Sequence, residues 1–366
     1  MHRGLPTLLA FALLAAATSL SVWWAGQQLG TAQGAAQDAV LTSRPVPQAG
    51  WGPMRVITAN IRLDMPVDGE NGWVNRRELL TKTLLKYQPE ILGCQEVSPV
   101  QGAYLTKELA AWYAYYPRAG VGSDQQGATR SAGAQLLGAL SGSLASLNTL
   151  YYRADRFDIL DGEAGLVLPG EPQADAAENT FFTLAVLREK TSQTDETKHL
   201  PATHTLIVVD IHFRHGEAFA IQCATKLRQK LATWEEKFPG SGILVMGDIN
   251  RDKTTKLYAT LTTGDAAVAS RIAATAGAKM GADGNVLMLQ DAFDYSKWIG
   301  GGGKTWGTYH GFAGTSTQPW PTDLIFVGGG LKVTHAAEIM EDHGPPPPAK
   351  GRYPSDHFFV SAELGW

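Results

Sequence analysis

Short apolar runs that stop at a polar residue recur along this chain, and their spacing admits few folds. Met54 to Asn60 (MRVITAN), Glu90 to Val97 (EILGCQEV), Thr205 to Phe213 (TLIVVDIHF), Gly242 to Met246, Asp323 to Val327 (DLIFV) and Phe358 to Leu364 have strand length and β-branched or aromatic character. Leu147 to Tyr152, Phe181 to Leu187 and Leu331 to Ala337 add further strands, and Arg153 to Asp161 reads as the second half of a hairpin with the first of these. Between them lie helical patterns. Val74 to Tyr87 carries Leu79, Leu80, Leu84 and Leu85 at helical spacing and is closed by Pro89, and Glu217 to Phe238 is long and amphipathic. Many strands interleaved with helices predict an α/β sandwich, two sheets covered by helices on the outside.

The first 52 residues stand apart. Arg3 precedes an uncharged apolar run from Leu5 to Gly26 that ends in Trp23-Trp24. This is the pattern of an export signal or of a single membrane anchor. Its length reaches the ~20 residues that span a bilayer, and the tryptophans fall where an interfacial belt would sit, so the anchor is slightly favoured. Residues 27–52, rich in Ala, Gly, Gln and Pro, read as a linker to a domain that begins at residue 53. Residues 123–146 and 266–284 read as an insertion and a surface helix. Net charge is −4, which argues against a basic surface built to follow long duplex DNA. The two cysteines, Cys94 and Cys223, form no zinc pattern, and Cys94 reads as a small buried hydrophobe, although a disulfide between the two stays open.

The polar residues that end the runs carry the chemistry. Asp248 and Asn250 lie two apart after an apolar strand, so one carboxylate and one amide can share a water and a phosphate oxygen; Gly-Asp-x-Asn is equally good turn chemistry. Glu96 follows buried residues, where an acid is costly unless solvated or bound to a hard cation. Asp210 and His212 share a strand face, and such a histidine serves as an acid, a base or a phosphate donor, or simply as a satisfied core residue. Asp323 opens one strand and Asp356-His357 another, and an aspartate that holds a histidine protonated is a recurrent catalytic device.

Together these motifs resemble the endonuclease/exonuclease/phosphatase superfamily. The matching pieces are NIR (60–62), QE (95–96), His212, GDIN (247–250), TDLIFV (322–327) and SDHFFV (355–360), in the family's order from about Met54 to Leu364. DGENGWVNRRELL (68–80), GVG (120–122), the 148–157 segment and GTYHGF (307–312) are similar to its exported bacterial members. The resemblance implies a four-layer α/β sandwich, two mixed sheets packed face to face, with the site at one end of both. It implies Glu96 as the principal Mg²⁺ ligand (Mn²⁺ or Ca²⁺ in its place), with Asn60 and Asp356 nearby. Asp248 would position or deprotonate the attacking water, and Asn250 would accompany it on the phosphate. His357, oriented by Asp323, would stabilise the transition state or protonate the leaving oxygen, and His212 would do the complementary task. Arg62 and His310 would contact phosphate or substrate, and Asn148 would line the pocket.

Two departures stand out. Ser146 occupies a position where relatives often carry glutamate, and Asp210 one where they carry Asn or Ser, so Asp210 is expected to supply the missing carboxylate to His212. Arg214 takes the place of an acid. The function expected is metal-dependent hydrolysis of a phosphoester, with a phosphodiester favoured, by a monomer outside the cytoplasm. The substrate would be a small molecule, a lipid head group or an oligonucleotide, and the membrane would be reached through the N-terminal run. A nonspecific nuclease and an inactive binding module on the same scaffold are the alternatives.

Overall fold

The computed structural model describes residues 51–117, 147–166, 180–190, 204–213, 216–263, 287–294, 306–340 and 350–366. The chain separates at Gly50 and Trp51, and the N-terminal run, the 123–146 and 266–284 segments, GVG (120–122) and the Ser146 and Arg214 positions lie outside the described residues. No helix among the described residues is long and apolar enough to cross a membrane.

The predicted sandwich is the observed one. The first sheet contains β1 (Met54–Asn60), β2 (Ile91–Val97), β3 (Tyr113–Tyr116), β4 (Leu147–Arg153), β11 (Lys332–Met340) and β12 (Phe359–Gly365), in the order β11-β12-β1-β2-β4-β3. The second contains β5 (Phe157–Leu166), β6 (Phe181–Glu189), β7 (Thr205–His212), β8 (Gly242–Asp248), β9 (Gln290–Asp291) and β10 (Asp323–Gly328), in the order β5-β6-β7-β8-β10-β9. Each sheet has one parallel pair near its middle, β1 with β2 and β7 with β8, and antiparallel strands around it. Helices α1 (Trp73–Tyr87), α2 (Pro99–Leu109), α3 (Glu217–Lys237) and α4 (Lys256–Thr262) follow β1, β2, β7 and β8.

Burial explains the layering. β8 is buried at every position, and β7 at every position after Thr205, as expected of strands covered on both faces. Val208, Val209, Val245 and Met246 pack with Val56, Val360 and Ala362 in one core, so the two sheets meet through interdigitated aliphatic side chains. A second core lies under α1 and α2, where Leu80, Leu84, Leu105 and Leu109 cover Ile57, Leu92 and Cys94.

Two expectations need correction. β4 and β5 do not form a hairpin: β4 pairs with β2 and β3, whereas β5 pairs with β6 in the opposite sheet. The three residues between them carry the chain across the sandwich, and buried Arg156 fixes the crossing by ion pairing with Glu189 at 2.6 Å. The cysteines form no disulfide; Cys94 and Cys223 are both free and buried.

Candidate active site

The ends of the parallel pairs lie together. In register, Asn60 faces Gln95, His212 faces Asp248, and Asp248 faces Asp323 at the start of β10. The backbone turns sharply there. Arg62, Glu96 and Asn250 all have left-handed φ values, 57°, 61° and 52°. Such conformations are uncommon for residues with a side chain and persist where the surroundings impose them. Glu96 also sits in an irregularity of β2, whose partners on β4 skip between Cys94 and Val97, and this re-aims its carboxylate. Gly247, with φ 145°, lets β8 press against β7: a Cβ there would lie 1.8 Å from the Ile211 carbonyl oxygen. Only glycine permits that approach, and it delivers Asp248 to the strand mouth.

Asp248 Oδ2 is the meeting point of both sheets. Asn60 Nδ2 donates to it at 3.1 Å, His212 Nε2 lies 3.6 Å away and His357 Nε2 3.8 Å away. Its other oxygen accepts the Asn250 amide N–H at 2.8 Å. Burial, and next the charge of Asp323, push the Asp248 carboxyl up to about 7, although His357 and two hydrogen bonds oppose the shift. Asn250 Nδ2 donates to the Phe213 carbonyl at 2.7 Å and lies 3.0 Å from His212 Nε2, which accepts from it.

His357 Nδ1 pairs with Asp323 Oδ2 at 2.9 Å. Burial alone would lower this imidazole, but Asp323, followed by Asp248 and Asp356, raises it to about 10. Asp323 is itself fixed, because its backbone N–H donates to the Thr308 hydroxyl.

Glu96 accepts from Asn60 Nδ2 at 3.3 Å and from the Leu63 N–H at 2.9 Å. Burial opposes its ionisation, yet His212, the Leu63 N–H, His357 and Asn60 together hold it down at about 2. Asp356 is raised, first by burial and also by the charge of Glu96, with His357 and Arg62 opposing. Arg62 is clamped by Asp68 through two bonds of 3.0 and 2.9 Å and lies 3.7 Å from Asp356. Hydrogen bonding to Asp68 raises its pKa further, so its charge is permanent.

Two groups of residues offer metal-binding atoms. Asp248, Asp323 and His357 present atoms within 4.8 Å of one another, but the imidazole Nδ1 is already paired with Asp323, which suits a charge-holding dyad better than a ligand set. Glu96, Asp356 and Asn60 form an oxygen-bearing group in which two largely buried carboxyls repel one another. That donor set fits a hard divalent cation.

The remaining expected residues are placed differently. Asp210 does not support His212: its carboxyl is fully buried and accepts from Gln95 on the facing sheet. Asn148 directs its amide nitrogen to the carbonyls of Phe181 and Asp210, both at 3.2 Å, and so ties the sheets together. His310 is buried against Phe358 and Tyr353, accepts the Gly314 N–H, and is pushed down by burial to about 4. At that value it is neutral, and it packs among aromatic rings. Its neighbour Tyr309, bridged in register with His357, is 45% exposed and packs edge-on to that imidazole with centroids 5.1 Å apart. Adjacent residues of an extended segment point to opposite faces, so the bridge that buries His310 leaves Tyr309 exposed. Two further residues shape the site without a pattern in the sequence to mark them: Asp68, which clamps Arg62, and buried Arg76, which donates to the carbonyls of Ile61, Arg62, Asn71 and Pro354 and so fixes the segments bearing Asn60, Arg62 and Asp356.

The fold recurs in solved structures. An endonuclease/exonuclease/phosphatase from Bacteroides vulgatus is 23% identical, with a TM-score of 0.58 over 86% of this chain and 99% of its own. The mannosyl-6-phosphatase Bt3783 of Bacteroides thetaiotaomicron is 19% identical, with a TM-score of 0.58 over 86% and 100%. D. rerio TDP2, complexed with a single-strand DNA product, is 17% identical, with a TM-score of 0.50 over 86% and 100%. These likenesses establish the fold. No curated protein matches the chain. The model of the Endonuclease/Exonuclease/phosphatase family matches residues 57–357, most of the chain and all the strand ends described above. The chain therefore belongs to the endonuclease/exonuclease/phosphatase family, whose members are divalent-metal-dependent hydrolases of phosphoester bonds.

Proposed function

We propose that this protein hydrolyses a phosphoester, with a phosphodiester preferred, by in-line attack of water at the Asp248–His357 centre. The observation that carries the reading is the opposed pair itself. Asp248, raised to about 7, and His357, raised to about 10, stand 3.8 Å apart between the sheets. At mildly alkaline pH the first is a base for the attacking water and the second still carries the positive charge that neutralises a phosphoryl group beside it.

Asp248 Oδ2 orients the attacking water and takes its proton. Asn250 fixes the His212 imidazole beside that carboxylate, and His357 Nε2, kept charged by Asp323, stabilises the charge that develops on the phosphoryl oxygens. Arg62 adds a fixed positive charge at the rim. Glu96, Asp356 and Asn60 would hold a divalent cation, Mg²⁺ or in its place Mn²⁺ or Ca²⁺. When bound, it supplies electrophilic neutralisation of charge on the phosphoryl group.

Tyr309 beside His357 offers a half-exposed aromatic ring at the mouth of the site. This favours a small substrate that carries a ring over a long duplex, in keeping with the net charge of −4. The apolar run at residues 5–26 supports action outside the cytoplasm, with or without a membrane tether. The test is hydrolysis of bis(p-nitrophenyl) phosphate against p-nitrophenyl phosphate with Mg²⁺ or with EDTA, alongside nicking of a plasmid. Faster metal-dependent turnover of the diester, without nicking, supports this reading. Nicking as the dominant activity replaces it with a nuclease.

A further inference from the structure

One layer below the strand mouths, Asp210 of β7 faces Gln95 of β2. Gln95 Nε2 donates to Asp210 Oδ1 and, at 3.0 Å, to the Thr58 hydroxyl of β1. All three residues are fully buried. Two acceptors in this knot have nothing to accept: Asp210 Oδ2 and Gln95 Oε1 are both buried without a hydrogen-bond partner. Both amide hydrogens of Gln95 are engaged, so turning the amide over would only exchange one unmet group for another. No Lys or Arg among the described residues pairs with Asp210. Its other neighbours are the Cys94 thiol on β2, Thr183 of β6 and Met246 of β8 in register beside it, the Asn148 amide on its own carbonyl, and His212 two residues along its strand. An ionised carboxylate here would be a buried charge with no cation, which costs several kcal/mol at least.

A single proton resolves the arrangement. A carboxylic acid and a primary amide are complementary, the acid O–H donating to the amide oxygen and the amide N–H to the acid's carbonyl oxygen. The chain also makes room for the pair. A Cβ at Gly93 would lie 2.9 Å from Asp210 Oδ1 and 3.0 Å from the Met246 methyl, so a side chain there would displace the acid.

We propose that Asp210 is held as a neutral carboxylic acid whose proton is shared with Gln95, and that this pair latches the two sheets directly beneath Glu96 and His212. Asp210 is thus a positioning residue. Gln95 precedes Glu96 and Asp210 lies two before His212, so loosening the latch frees the metal-binding end of β2 relative to β7. Burial pushes the Asp210 carboxyl well above its ordinary range, against the pull of Gln95 and the Ile211 N–H, in agreement with the unmet acceptors. The catalytic consequence rests on the function proposed above; the protonation state does not.

The sign of the linkage gives a test. An acid whose folded pKa is raised contributes stability that is complete below its unfolded value of about 3.9 and is lost as pH rises towards the folded value. Asn at 210 keeps the shape and a donor for Gln95 Oε1 and has no proton to lose. The melting temperature of Asp210→Asn, measured relative to the unsubstituted protein, should therefore climb steadily from pH 5 to pH 8. The infrared spectrum at pH 7 should show the carbonyl stretch of a protonated carboxyl that disappears in Asp210→Asn. A flat melting difference together with no such band overturns the proposal.

For positioning, Asp210→Ala should raise the Mg²⁺ concentration for half-maximal activity roughly tenfold, and Asp210→Asn should recover most of that loss. If Asp210→Ala lowers stability but leaves the Mg²⁺ requirement unchanged, the latch does not position the site and that part is overturned. If the unsubstituted protein hydrolyses no phosphoester, the functional reading fails, while the infrared band and the melting series still decide the state of Asp210.

Discussion

Asp323 Oδ2 lies 2.9 Å from His357 Nδ1; Asp323 opens β10 of one sheet, and His357 stands two residues before β12 of the other. The pair joins the sandwich at its open end and keeps the imidazole charged well above neutral pH. Asp323→Asn should remove the charge that holds the proton. Turnover should fall ~10²–10⁴-fold, and the alkaline limb of the pH profile should move down from about 10 towards the ordinary histidine value. An unchanged alkaline limb in Asp323→Asn would remove His357 as the charged group that sets it.

The acidic limb belongs to Asp248. Its carboxyl, raised to about 7, must be ionised to act as a base, so activity should rise with pH through about 7 before the His357 limb takes it down. Bound cation shifts both limbs to lower pH by adding positive charge. Asp248→Asn should abolish the rising limb along with most of the turnover. A rising limb that survives in that variant assigns the base elsewhere.

Arg62 holds its place through two bonds to Asp68. Lysine has no planar fork with which to repeat them. Arg62→Lys should raise KM ~10-fold with kcat changed less, since one charge-assisted contact is worth ~1.5–3 kcal/mol. Asp68→Asn should shift KM in the same direction by freeing the guanidinium. Steady-state kinetics on one phosphodiester distinguish this from a kcat effect.

Tyr309 presents its ring beside His357 with 45% of its surface open. Tyr309→Ala should weaken substrates whose leaving group is a ring by ~1–3 kcal/mol, the range of a lost stacking contact, and should spare acyclic alkyl phosphoesters. Equal losses on both kinds of substrate would mean that the ring supports His357 instead.

Much of this was legible in the sequence for a simple reason. A strand buried on both faces must be apolar until it reaches the edge of the core, so the polar residues ending MRVITAN, ILGCQE and GILVMGD mark one end of the sandwich. Pattern does not assign a strand to a sheet, and β4 and β5 show it: their three-residue connection looks like a hairpin but crosses between the sheets. Nor does it reveal what lies opposite. Alternation does put Asp210 and His212 on one face, yet Gln95 arrives from the other sheet and takes the carboxyl first. The His310 and Tyr309 faces depend on the bridge to His357, and the left-handed turn at Glu96 depends on an irregular pairing with β4. Both are set by tertiary contacts that no local spacing records.

The most direct test is phosphoester turnover by the purified protein with Mg²⁺, after EDTA treatment, and in Glu96→Ala and His357→Ala. We predict metal-dependent hydrolysis that EDTA stops and fresh Mg²⁺ restores, and loss of most activity in each variant with the fold intact by circular dichroism. Turnover that persists in EDTA, or near-native rates in either folded variant, would contradict the assignment of this strand-mouth centre as the site of hydrolysis.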